Sequence, residues 1–155
     1  MANEPGFDLA AAHKYFSAKC FNQAWDLIGK TNRTPAEDHE MIALCLASMW
    51  HWSQREDCTP TTMSIGYWQA SRIYALLGQA ENAMRYARLC LSVSHASDVL
   101  PLYLGYAYEA MARAASIAKD PDQTADFLAK ARRVASAVPD PVERGQLLED
   151  LESIA

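Results

Sequence analysis

The residues best able to carry chemistry are four histidines and a few arginines set among aromatic side chains. His13, His39, His51 and His95 fall on four different predicted helices. They could hold a metal ion only by converging in space, and no spacing demands it, so no metal site is expected. His39-Glu40 begins like the helical two-histidine zinc motif, but Ala43 stands where the second His belongs. Trp50-His51-Trp52 is the densest aromatic cluster. Consecutive helical residues point in different directions, so no more than two of these can share a face. Either the tryptophans anchor the core with His51 at an edge, or His51 and Trp52 lean into a binding surface beside Trp68. There is no Gly-x-Ser-x-Gly elbow, phosphate-binding Gly-rich loop or dinucleotide fingerprint. No catalytic residues and no cofactor are therefore expected.

Composition narrows the partners. The chain has 155 residues, half of them hydrophobic, which excludes intrinsic disorder. Its 14 Lys plus Arg against 19 Asp plus Glu give a net charge of −5, which argues against a nucleic-acid backbone binder. Basic residues do not interleave with the aromatics densely enough for a single-strand track. No apolar run is long enough to cross a membrane. Met1 to Gly6 lacks the layout of a signal peptide, so a cytoplasmic protein is expected. Cys20, Cys45, Cys58 and Cys90 form no Cys-x-x-Cys pair. The first, second and fourth read as buried thiols on apolar helices, and Cys58 falls in a loop.

These side chains must be positioned by helices. Thr34-Pro35-Ala36-Glu37 reads as a capping box, and Asp120-Pro121 and Asp140-Pro141 repeat the start signal. No segment alternates with period two, so no strands are expected. The signals predict an all-α chain of eight helices over about 7–19, 21–30, 35–54, 61–77, 79–95, 98–118, 121–137 and 141–153, in one domain over 1–155. The helix at 35–54 is apolar on two faces, Ile42, Cys45, Leu46 and Met49 on one and Met41, Leu44, Ser48 and Trp52 on the other. Such a helix is normally packed between neighbours.

A repeat runs through this pattern. In the segment from Gly66 to Ala83, Tyr67 is followed by the small pair Ala70 and Ser71, then Tyr74, a turn glycine at Gly78 and Ala83. The segment resembles a tetratricopeptide repeat, with Ala87 in place of the second aromatic. Weaker copies are traced by Tyr15, Ala24 and Ile28 upstream, and by Tyr108, Ala112, Thr124 and Leu128 downstream, where Lys119 replaces the turn glycine. Ala24 to Ala83 is 59 residues and Ala83 to Thr124 is 41. The longer interval marks the helix at 35–54 as an insertion or a degenerate repeat, and 141–153 reads as a capping helix.

The resemblance implies a short right-handed solenoid whose first helices line a concave groove. Mapped onto this chain, His13 and Phe16 come from the first hairpin, Trp68 and Arg72 from the central one, and Tyr106, Glu109 and Arg113 from the last. His51 and Trp52 join them on the second reading of the aromatic cluster. The expectation is a non-catalytic module that binds a protein or peptide segment, as monomer or homodimer, with no nucleic acid and no membrane. The alternatives are a small-molecule binder in which the 35–54 helix closes an aromatic pocket, or a small enzyme using His13 or His51 with Arg72 and Arg113.

Overall fold

The computed structural model describes residues 4–154, so Met1 to Asn3 of the segment read for a leader lie outside the described residues. Every regular element among the described residues is helical: α1 (Leu9–Ile28), α2 (Pro35–Ser53), α3 (Pro60–Leu76), α4 (Ala80–Ser94), α5 (Pro101–Ile117), α6 (Pro121–Ala135) and α7 (Pro141–Glu152). Seven helices stand where eight are expected, because 7–19 and 21–30 form one helix. Ala18-Lys19-Cys20-Phe21 holds no Gly or Pro to break it. Tyr15, Ala24 and Ile28 therefore share one helix and do not form a helix-turn-helix repeat. No helix among the described residues is long and apolar enough to cross a membrane.

The chain divides into two compact units, Met1–Thr59 and Pro60–Ala155. The first is the antiparallel pair α1 and α2. Asp8 caps α1 by accepting from the Ala11 N–H at 3.0 Å. The expected capping box starts α2: Thr34 accepts from the Glu37 N–H, and the Glu37 carboxylate accepts from the Thr34 N–H. The helix that repeat spacing marks as an insertion is thus the partner of α1. Between them lie Ser17, Cys20 and Ala24 of α1 and Met41, Cys45, Ser48 and Met49 of α2. Ser48 Oγ donates to the Ser17 carbonyl at 2.7 Å, which lets two buried hydroxyl-bearing residues sit at the contact.

The second unit is built on a repeat of 41 residues. α5 starts 41 residues after α3 (Pro101 against Pro60) and ends 41 after it (Ile117 against Leu76). α6 follows α4 by the same interval at both ends (Pro121 against Ala80, Ala135 against Ser94). The buried positions keep the register: Ala70 with Met111, Ile73 with Ala114, Ala87 with Leu128, and Cys90 with Ala131. The two hairpin turns also match. Gly78 has φ 71° and Lys119 φ 60°. In each turn the next N–H reaches back five residues, Gln79 to the Tyr74 carbonyl and Asp120 to the Ala115 carbonyl. This Schellman arrangement needs a left-handed residue at its centre. Lysine meets the need at a steric cost that Gly78 avoids.

Small residues set the helix contacts in this unit. Ala75, Ala83 and Ala114 form one buried cluster, and Ala87, Ala110 and Met111 another. Ser71 Oγ donates to the Ala83 carbonyl at 2.9 Å, tying α3 to α4 where Ala83 is fully buried. α7 begins 40 residues after α5 and packs on α5 and α6. Its Leu147 and Leu151 complete a core with Ala112, Leu128, Ala131, Ala135 and Val138. Leu147 lies so close over Gly105 that a Cβ there would sit 2.6 Å from its Cδ2. Of the four free thiols, Cys20, Cys45 and Cys90 are buried as expected. Burial pushes Cys45 up to about 12 and Cys90 up to about 11.

Candidate functional site

In the first unit, His13 near the start of α1 faces His51 near the end of α2, at the end of the hairpin away from its connecting turn. Their Nδ1 atoms are 2.9 Å apart. The ring centres are 5.1 Å apart, and two ring radii account for the difference. The nitrogens therefore lie nearly on the line between the ring centres, with their lone-pair directions opposed. That geometry suits one shared N–H···N bond. A chelated metal would need both lone pairs to converge on a third point. The indole of Trp50 lies edge-on to both rings, at 5.3 Å from His13 and 5.0 Å from His51. Phe16 stacks on His51 at 5.5 Å. Burial, and then the charge on His13, holds the His51 imidazole below its usual value. Trp52 packs under the Arg55 guanidinium, which lies 3.7 Å from its ring centre. Arg55 also grips Asp57 through Nε and Nη2 and donates to Ser17 Oγ at 2.9 Å.

In the second unit, the register of the repeat brings four residues together. Trp68 and Arg72 are one turn apart on α3. Glu109 and Arg113 are one turn apart on α5 and stand 41 positions after them. Glu109 is only 1% exposed. Its Oε2 accepts from Trp68 Nε1 at 2.8 Å, and its Oε1 accepts from Arg113 Nε at 2.7 Å and Arg72 Nη1 at 3.3 Å. Both carboxylate oxygens are thus engaged. Arg113 reaches on to α7, donating to the Asp150 carbonyl at 3.2 Å and to Ser153 Oγ at 3.0 Å. Tyr106 donates its hydroxyl to Asp150 Oδ2 at 3.1 Å. Burial pushes the Tyr106 phenol well above its ordinary value, and the Asp150 charge adds to the rise. Burial, then repulsion from Arg113, holds the Arg72 guanidinium below its own ordinary value.

Beside this cluster is a pocket of about 250 Å³. Ser64, Ile65 and Trp68 of α3 line one side, and Leu102, Tyr103 and Tyr106 of α5 the other. Its walls are almost wholly apolar. Trp68 and Tyr106 meet edge to face at 5.3 Å, a favoured aromatic geometry. The indole is also pinned by its bond to buried Glu109, so this wall is set before anything enters. Among the described residues no group of three or more His, Cys, Asp or Glu side chains could hold a metal ion.

No protein-family model, curated protein or solved structure matches this chain.

Five of the nine residues expected in the groove, Trp68, Arg72, Tyr106, Glu109 and Arg113, form one connected cluster. His13, Phe16 and His51 form another within the first unit, with Trp52 nearby but turned to Arg55. Trp50 is not the core anchor of the first reading. It is 55% exposed, with its ring against the two histidines. Sequence reasoning missed Asp150 and Ser153, which complete the fork of Arg113, and Arg55, which crosses from the end of α2 to Ser17. The terminal helix is acidic and reads as a cap, and nothing in its spacing shows that its last turn offers a carbonyl and a hydroxyl to an arginine.

Proposed function

We propose that this chain is a non-catalytic, tetratricopeptide-like interaction module that takes an apolar side chain of a partner segment between α3 and α5. The pocket bounded by Trp68 and Tyr106 carries this reading. Two first helices in the same register line it, which is where a tetratricopeptide solenoid would present its groove. Its volume of about 250 Å³ is smaller than the roughly 300–1,000 Å³ of small-molecule clefts, and suits one aromatic or aliphatic side chain. Arg72 lies one turn beyond Trp68 with its side chain 24% exposed. It can offer planar donors to backbone carbonyls of the bound segment. Aromatic and arginine side chains around a desolvated pocket are the composition of a binding hot spot. Buried free thiols suit a reducing compartment such as the cytoplasm.

The test uses short blocked peptides that differ at one position, Phe, Leu or Met against Ser, with the 155-residue chain. The expected result is that the apolar peptides shift the Trp68 indole N–H resonance while the Ser peptide leaves it in place. Replacing Ile65 by Lys should abolish the shift without changing the melting temperature. If no apolar peptide moves the Trp68 signal, the pocket is not a binding site and the proposal fails.

A further inference from the structure

The pairing of His13 with His51 has no part in the pocket between α3 and α5, and its geometry implies a different property. Two imidazoles aligned head to head at 2.9 Å need one proton on the line between them. In the neutral pair, one ring donates through Nδ1–H and the other accepts on its Nδ1 lone pair. A first added proton goes to the Nε2 of the donor ring, and the bridge survives. A second can go only to the accepting Nδ1, because the other three ring nitrogens already carry hydrogens. Two N–H groups, each on a cation, would then face one another at hydrogen-bond distance. The rings must part.

The second charge is only weakly compensated: Glu56 shares the hollow with His13 but is exposed, where water screens it, and the last turn of α2, which carries His51, favours one cation but does nothing for two N–H groups that face each other. Neither imidazole makes an ion pair with a carboxylate among the described residues. On the His13 side, the hollow between α1 and the end of α2 is lined by Lys14, Arg55, Glu56 and Asp57. Asp57 is held by both Nε and Nη2 of Arg55, so its charge is already matched. Lys14 opposes further positive charge. On the His51 side the neighbours are the rings of Phe16 and Trp50. Along α2, Glu37, Asp38, His39 and Glu40 lie about three turns or more away, and the nearer Cys45 stays a neutral thiol because burial pushes it up to about 12; on α1, Asp8 is engaged in capping its own helix through the Ala11 N–H.

We propose that His13 and His51 form a proton-operated latch that holds the open end of the α1–α2 hairpin at neutral pH and releases it when the pair takes up a second proton. Burial and the charge on His13 both push the His51 imidazole toward its neutral form, which agrees with this direction. A histidine whose folded value lies below its unfolded value of about 6.5 stabilises the fold above that pH. The stabilisation is lost as pH falls from there through the folded value.

The experiment is an imidazole ¹⁵N titration of the full chain, with exposed His39 as the internal reference. His51 should titrate below His39, and a bridging Nδ1–H proton should be seen at neutral pH and vanish as His51 titrates. In His13→Asn, which keeps a polar partner but cannot take up a proton, the His51 midpoint should rise, because the charge on His13 is one of the two causes that hold it down. The fall in melting temperature on acidification should shrink in the same variant. Should His13→Asn not fold, the wild-type bridging proton and the order of His51 and His39 still decide the matter. Zinc added at neutral pH should leave both rings unshifted. Coincident titration of His51 and His39, a His51 midpoint unmoved by His13→Asn, or a joint shift of both rings on adding zinc would overturn the latch.

Discussion

Replacing Glu109 by Gln removes one charge and almost no volume from the centre of the second unit. Glu109 is the common acceptor for Trp68, Arg72 and Arg113, and it is 1% exposed. Removing one partner of a buried ion pair costs about 3–5 kcal/mol, because the remaining charge loses both its counter-ion and its water. Two features reduce that figure here. The Arg72 and Arg113 side chains keep 24% and 16% exposure, so water recovers part of their solvation. The introduced amide oxygen can still accept from Arg113 while Trp68 loses the better acceptor. The expected loss is about 2–3 kcal/mol, or roughly 5–10 °C in Tm. Thermal and urea denaturation followed by far-ultraviolet dichroism would measure it. Arg113→Met should itself destabilise, and combined with Glu109→Gln it should cost at least about 1 kcal/mol less than in the wild type. A Glu109→Gln variant that melts with the wild type, or strict additivity of the two substitutions, would refute the view that this carboxylate holds the cluster together.

Two further outcomes follow from the hairpins. Ala83→Leu should destabilise the chain by about 1–3 kcal/mol, because Ala83 is fully buried against Ala75 and Ala114 and the contact cannot take a longer side chain without moving α4; an unchanged urea midpoint would contradict that packing. Lys119→Gly should stabilise by about 1 kcal/mol, since it removes a left-handed lysine at φ 60° from the centre of a turn that Gly78 makes without strain; equal or lower stability, read by the same denaturation, would show that Lys119 gains more from its side chain than it loses in its backbone.

The elements were legible where a local rule operates. Thr34 with Glu37, and Pro121 and Pro141 after aspartates, fix helix starts by satisfying exposed N–H groups, and those starts stand in the structure. The break expected near Cys20 failed because it rested on a repeat pattern with no turn residue at that point. Gly78 identified its turn through its freedom at positive φ, and the 41-residue interval identified Lys119 as its counterpart although lysine carries no such signal. Arg72, Glu109 and Arg113 could be placed on helix faces by three-and-four spacing. That two of them share one carboxylate depends on the register between α3 and α5, which no local window encodes. The His13–His51 pairing was out of reach for the same reason, since 38 residues separate two histidines whose alignment depends on how α1 crosses α2.

The two copies of the 41-residue unit are not interchangeable as building blocks. Position 72 and its counterpart 113 are both arginine, while position 68 is tryptophan and its counterpart 109 is glutamate. An artificial array made by concatenating copies of 101–141 would place a carboxylate one turn before every arginine, giving an alternating ladder of charges along its first helices. An array made from copies of 60–100 would stack arginine beside arginine with only indoles between them, and it should fail to assemble unless acid residues were supplied. A designer extending this fold should therefore multiply the second copy and keep the first as a single terminal module, where its tryptophan borders the pocket between α3 and α5.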